Sequence, residues 1–270
     1  MTEARVVSDS DAPVTATTLA ADLSVLGIDA GDIVMVHSSL RALGWVAGGA
    51  QTVVAALLEA VGSHGTIVMP AQSGHLSDPA AWSDPAVPSE WIETLRSELP
   101  AYDPYLTPVR AMGQIVEVFL LHRSTLRSDH PTLSFAANGR AAEEIISHHD
   151  LTPGFGESSP LGRLYEMDAK VLLMGVGHAS NTSLHLGEHR ATWPQKTTCV
   201  QGVPMMVGGE RQWVNYDDLE TCEDDFDELG VAFATSGKER QSTTGHGVAR
   251  VFPMRDCVDF AVDWIQSNRQ

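Results

Sequence analysis

Positive charge is scarce in this 270-residue chain: 17 Lys and Arg stand against 35 Asp and Glu, a formal net charge of −18. A field of that sign repels phosphate backbones and argues against nucleic acid as a partner. Long apolar runs are missing too. None reaches the roughly 18–20 residues that a membrane span needs, so no membrane partner is expected. The opening "MTEARVVSDSDAPV" lacks both a basic start and an apolar core, so it does not read as a signal peptide. A cytoplasmic location is the expectation. Cysteine is sparse: Cys199, Cys222 and Cys257 are widely spaced and odd in number. They predict reduced thiols and offer no zinc-knuckle spacing. There is no internal repeat, no low-complexity tract, no G-x-S-x-G elbow and no phosphate loop ending in G-K-[ST]. Those absences weigh against a serine hydrolase and a P-loop enzyme.

What is present is an alternation of short apolar runs with helical periodicity. "TLAADLSVLG" (18–27) has helical spacing and stops at a glycine. "DIVMV" (32–36) and "GTIVMP" (65–70) read as buried strands, with a helix between them in "QTVVAALLEAVG" (51–62). Residues 71–108 predict an irregular excursion with a short helix near Glu90–Ser97. Further helices are expected at 111–122, 138–149 and 159–168. "KVLLMGV" (170–176) is the strongest strand, and "NTSLHLGEHRA" (181–191) opens a helix that Ser180 or Asn181 could cap. Two or three β runs over 197–215, a helix near 223–235 and an amphipathic helix at 258–267 complete the chain. The expectation is a flexible lead-in over 1–14 and one α/β domain over 15–270. It has three layers, α/β/α, around a central mixed sheet with antiparallel strands in the C-terminal part.

Three motifs could carry chemistry. In "NTSLHLGEHR", His185, Glu188 and His189 fit H-x-x-E-H. Residues i and i+4 share a helix face, so the two imidazoles could hold zinc while Glu188 acts on a bound water. A single histidine acting as a metal-free general base fits the same stretch, and His189 reads equally as a solvated helix-face residue. His185 lies beyond the carboxyl end of the strongest strand, where α/β proteins place their sites. "VMVHSSL" (34–40) ends a second buried strand in His37, Ser38 and Ser39, where backbone N–H groups could face a ligand carbonyl. "RSDHPTLSFAANG" (127–139), with His130, reads as turn chemistry or a ligand contact. Separately, "YDDLETCEDDFDE" (216–228) concentrates acids that serve solubility or draw in a cationic ligand.

Taken in order, "VMVHSSLRALG", "GTIVMPA", "YDPYLTPVRAMGQIVEVF", "LRSDHPTLSFAANG", "GESSPLGRLYEMDAKVLLMGVGHASNTSLHLGEHR" and "YDDLE" resemble the aminoglycoside 3-N-acetyltransferases, a non-GNAT family, over about residues 16–267. The resemblance implies metal-free transfer of acetyl from acetyl-CoA to the 3-amino group of an aminoglycoside, an antibiotic-resistance chemistry. It implies that His185 is the general base. It places His37, Ser38, Ser39 and Leu40 by the acetyl-CoA thioester, with backbone N–H groups around Ser38–Ser39 steadying the oxyanion. It sets Asp217, Asp218 and Glu220 on the acceptor side. Asp218 or Glu220 would orient His185, and Asp217, Glu223 and Glu188 would face the drug's ammonium groups. An imidazole titrating near pH 6.5 suits the removal of a proton from such an amine. Three other readings predict different outcomes: a same-fold acetyltransferase for another amine, a zinc peptidase using His185, Glu188 and His189, and a non-catalytic binder of cationic ligands.

Overall fold

The computed structural model describes residues 3–270; residues 1 and 2 of the expected lead-in lie outside the described residues. A short helix, α1 (Glu3–Ser8), precedes a stretch that is tied to the body of the protein. The buried Val14 bridges Val46, and the Ser10 hydroxyl accepts from the Trp45 backbone N–H at 3.0 Å. Helix α2 (Ala16–Leu26) starts on a capping box between Thr15 and Thr18. It ends at Gly27, whose φ of 89° lets its N–H fold back on the last carbonyls. Strand β1 (Ile33–Ser38), α3 (Gly49–Val61) and β2 (Thr66–Pro70) follow as expected.

The excursion contributes α4 (Ile92–Glu98), then α5 (Gln114–Leu121), β3 (Leu126–Arg127), β4 (Phe135–Gly139) and α6 (Ala142–Ile146). Two helices here are shorter than their periodicity suggested. Ala111 and Gly113 both take positive φ, which delays α5. Asn138 and Gly139 pair with β2 and close a strand, so α6 begins only afterwards. Helix α7 (Pro160–Glu166) leads to β5 (Lys170–Met174) and α8 (Ser183–Arg190). Thr182 occupies the N-cap position of α8, yet it is Asn181 Oδ1 that accepts from the Ser183 N–H at 3.2 Å. A long hairpin of β6 (Thr198–Val207) and β7 (Glu210–Leu219) forms a separate two-stranded sheet. After α9 (Phe226–Ala234) comes a hairpin that the sequence pattern did not predict, β8 (Arg240–Thr244) and β9 (Gly247–Pro253), and α10 (Met254–Asn268) ends the chain.

Seven strands make the central sheet in the order β3-β4-β2-β1-β5-β9-β8. Only β2, β1 and β5 run parallel; every other pairing is antiparallel. Successive side chains of a strand point to opposite faces. Val34, Val36, Leu172 and Met174 therefore pack under α2, α3 and α5, whereas Met35, Val171 and Leu173 pack under α7 to α10. The result is the expected three-layer α/β/α architecture. The chain leaves β1 toward β2 on one side, while β5 flanks β1 on the other. A crevice opens at the carboxyl ends of strands where the order diverges in this way. No helix among the described residues is long and apolar enough to cross a membrane.

Helix α8 lies close against α10, and Gly187 is the reason it can. A Cβ at Gly187 would stand 2.9 Å from the Ala261 Cβ, closer than side chains tolerate. Helix propensity alone favours Gly187→Ala by about 1 kcal/mol, but overpacking a tight contact costs about 1–3 kcal/mol. The packing term wins, so Gly187→Ala should lower the unfolding free energy by roughly 1 kcal/mol in urea denaturation; a stabilised variant would contradict this contact.

Candidate active site

At the carboxyl ends of β1 and β5 a cleft of about 240 Å³ opens toward solvent. Val36, His37 and Ser38 from β1, Gln72 after β2, and the 179–182 turn after β5 form its floor and sides. His185, in the first turns of α8, closes one wall with Phe226. The His185 side chain is 12% exposed, and its Nδ1–H donates to Glu188 Oε2 at 2.5 Å. The i, i+3 spacing on one helix brings them together. With Nδ1 engaged by a carboxylate, Nε2 carries the free lone pair, the form a general base requires. Two aromatic rings fix the imidazole plane. Phe155 stacks on it at 4.7 Å with an interplanar angle of 3°, and Phe226 lies tilted at 5.0 Å.

Glu188, expected to face the acceptor, is instead fully buried, with 0% side-chain exposure. Its Oε1 accepts from Arg269 Nη1 at 2.5 Å and from the Cys222 backbone N–H at 3.0 Å. Burial alone would raise the Glu188 carboxyl pKa, but the bonds from His185 and Arg269 outweigh it and the net shift is downward. Glu188 is therefore ionised beneath His185, and its oxygens are already taken. Neither Asp218 nor Glu220 touches His185. Asp218 Oδ2 accepts from the Gly154 N–H at 2.9 Å and Oδ1 from the Leu219 N–H at 2.8 Å. Glu220 and Asp217 are exposed and line neither this cleft nor its neighbour. Glu223 does border the cleft, from the exposed segment before α9.

The four residues of "HSSL" separate. His37 and Ser38 line the cleft. The Ser39 N–H donates to the Met174 carbonyl at 3.0 Å, so it is not available to an oxyanion. Leu40 starts a 3-10 turn and packs against the core beneath α3. His37 Nε2 is buried with no hydrogen-bond partner, and burial, with help from His185 and His178, lowers the imidazole pKa to about 3.

A second cleft, of about 180 Å³, lies alongside and shares Gln72 with the first. Phe155, His189, Gln201, Tyr216 and Asp218 line it. His185 and His189 thus serve different cavities, and no group of three or more His, Cys, Asp or Glu placed to hold a metal occurs among the described residues. The zinc arrangement of H-x-x-E-H is not what the helix builds: the carboxylate is turned inward onto His185 and Arg269.

A carboxyl-end cleft with a carboxylate-held imidazole has the parts of an α/β group-transfer enzyme of the general-base type. Known proteins narrow that class. The sequence matches the aminoglycoside 3-N-acetyltransferase family over residues 35–266. It is 42% identical to the prophage-derived aminoglycoside N(3')-acetyltransferase-like protein YokD of Bacillus subtilis, covering 98% of this chain and 97% of that one; the YokD crystal structure superposes with a TM-score of 0.96. Aminoglycoside N(3)-acetyltransferase VII of Streptomyces paromomycinus is 35% identical, over 99% and 97% of the two chains. AAC-IIIb, solved as a binary complex with CoASH, is 32% identical with a TM-score of 0.84 over 94% of this chain and 97% of that one. The chain belongs to the aminoglycoside 3-N-acetyltransferase family.

Phe155, Phe226 and Arg269 had no signal in the sequence; Glu188 had one, its i+3 position after His185. Burial also governs His130 and His149, whose pKa values fall to about 3 and about 4. His37, His130 and His149, the deeply buried imidazoles among those lowered, stay neutral in the fold but titrate near 6.5 once unfolded. Their stability contribution is complete above pH 6.5 and is lost as pH falls through the folded values. Between pH 6.5 and 4 the unfolding free energy should drop by up to about 1.4 kcal/mol per pH unit per imidazole. Urea titrations at pH 7 and pH 5 measure this, and equal stabilities at the two would refute the neutral burial.

Proposed function

We propose that this enzyme transfers the acetyl group of acetyl-CoA to the 3-amino group of an aminoglycoside, with His185 as general base and Glu188 as the group that holds it. The observation that supports this reading most directly is the 2.5 Å bond from His185 Nδ1 to a buried carboxylate at the wall of the strand-end cleft. An aminoglycoside amine is largely protonated at neutral pH and attacks only as the free base. His185 Nε2 takes a proton from the attacking nitrogen as the N–C bond to the thioester carbonyl forms. Collapse of the tetrahedral adduct breaks the C–S bond, and the leaving thiolate takes up the proton that His185 holds, which restores the neutral imidazole. Glu188 offsets the positive charge that His185 gains in this step.

His37 and Ser38 would stand beside the acetyl-CoA thioester, and with the Ser39 N–H committed to Met174, the Ser38 hydroxyl would be the donor offered to the developing oxyanion. CoASH in the AAC-IIIb complex makes the donor's chemistry the natural one for this cleft. Glu223 at the cleft would attract the ammonium groups, and Asp217 and Glu220, exposed outside both clefts, would add only to the long-range field of a chain carrying −18. Acting in the cytoplasm, such an enzyme would give its host aminoglycoside resistance. The proposed steps use no metal: Glu188 is bonded to His185 and Arg269, and His189 faces another cavity.

Mass spectrometry of an aminoglycoside panel, incubated with enzyme and acetyl-CoA, should show gain of one acetyl group, unchanged after dialysis against a chelator. His185→Ala should lower kcat by about 10²–10⁴. Glu188→Gln, which removes the compensating charge, should cost less than His185→Ala but at least about tenfold. Full turnover by His185→Ala would end its assignment as the base, and acetylation of other amines alone would redirect the acceptor.

A further inference from the structure

We infer that Asp218 is a positioning residue: it seats Phe155 on the ring of His185, and through that ring sets the aim of the base. The inference rests on the function proposed above. Its elements lie on a loop between α6 and α7 whose backbone is gripped from both sides. The Gly154 N–H donates to Asp218 Oδ2 at 2.9 Å, and the Gly154 carbonyl accepts from His149 Nε2 at 2.7 Å. Three residues earlier, His130 Nε2 donates to the Leu151 carbonyl at 3.2 Å. Both imidazoles have their other nitrogen occupied as an acceptor, His149 Nδ1 from the Ser128 hydroxyl and His130 Nδ1 from the Thr132 and Leu133 N–H groups. A Cβ at Gly154 would meet Leu133 Cδ1 at 2.7 Å and Asp218 Oδ2 at 3.1 Å, so the peptide itself fills the gap.

The next residue is Phe155. It is buried, lies edge-on to Phe135 at 6.2 Å, and presents its face to His185 at 4.7 Å. An imidazole held only at Nδ1 can still swing about that bond. A parallel ring against one face, with Phe226 on another side, removes the swing. Glu188 thereby sets which nitrogen is free, and Phe155 sets where it points.

Asp218 also borders the second cleft, so an acceptor ammonium is the rival partner. Its surroundings argue against that. The residue is 7% exposed, and its two oxygens already accept from the Gly154 and Leu219 N–H groups. A carboxylate so occupied is building a loop.

Asparagine and alanine at 218 separate the two roles. Asn keeps an oxygen for the Gly154 N–H and loses the charge; Ala loses both. If Asp218 positions the loop, Asp218→Ala and Phe155→Leu should each lower kcat by about 10–10²-fold, as small misplacements of a reacting group do. The acceptor KM should stay within about twofold, and the double variant should be little worse than either single one. Asp218→Asn should recover most of kcat. In substrate-free protein, the ring-nitrogen NMR signals of His185 should shift or broaden in Asp218→Ala and Phe155→Leu and resemble wild type in Asp218→Asn. The inference is overturned if Asn and Ala are equally costly and the cost is in acceptor KM, or if the His185 signals are unmoved in the folded Ala and Leu variants. Should wild-type enzyme acetylate no aminoglycoside, the functional reading fails by itself, and the NMR comparison still decides this one.

Discussion

A carboxylate with no access to water organises this protein's site. Burying an ionised Glu costs several kcal/mol unless its lone pairs are used and its charge is met. Glu188 meets that condition with one partner on its own helix, His185, and two from distant parts of the chain, the Cys222 N–H before α9 and Arg269 after α10. Arg269 is in turn held by Asp225 at 2.6 Å and lies over the Trp193 and Phe226 rings. The second-last residue of the chain thereby determines the surroundings of an imidazole more than eighty positions earlier. The arrangement is all-or-none, since deleting any one partner leaves a buried charge that the others cannot satisfy.

The electrostatics divide cleanly between outside and inside. The surface carries most of the excess of 18 negative charges, a field that concentrates cations without contacting them. The interior near the site is nearly neutral. His37, His130 and His149 are uncharged, and the latter two act as hydrogen-bond hardware for loops rather than as acids or bases. Two histidines meet carboxylates, His178 with Glu239 at 2.8 Å and His185 with Glu188, but only His185 also lines the cleft. In the proposed mechanism, the positive charge that His185 gains on proton transfer would be met by one partner placed in advance, inside a protein whose outer field favours cations.

Much of this was legible in the residues because the parallel strands are buried on both faces and so read as unbroken apolar runs. "DIVMV", "GTIVMP" and "KVLLMGV" located β1, β2 and β5, and with them the strand ends where His37 and His185 stand. The hairpin of β8 and β9 escaped notice for the converse reason: β8 is "RQSTT", an edge strand with largely exposed side chains and no apolar alternation to detect. The long helix expected over 138–149 failed because Asn138 and Gly139 complete β4, a pairing that only the register with β2 dictates. Site residues divide along the same line. Local spacing reaches Glu188 from His185, but Phe155, Phe226 and Arg269 arrive by tertiary packing, and the acids of "YDDLE" differ in burial although they are adjacent in sequence. Asp217 is exposed, Asp218 is locked to Gly154, and period-two alternation along β7 is what separates them.

The same alternation of possibilities runs through H-x-x-E-H. On a helix the two histidines share a face, and nothing in the spacing distinguishes a zinc site from a proton-transfer pair. What distinguishes them is where the intervening carboxylate turns. A glutamate that activates a metal-bound water must reach outward over the ion, whereas Glu188 turns inward to an arginine. A guanidinium in contact with that carboxylate would repel a divalent ion a few ångströms away and would compete for the same lone pairs. His185 bonds Glu188 through Nδ1, and His189, one turn later, reaches a different cavity, so the two imidazoles do not converge on one ion. The motif therefore acquires its meaning from Arg269, a residue outside it.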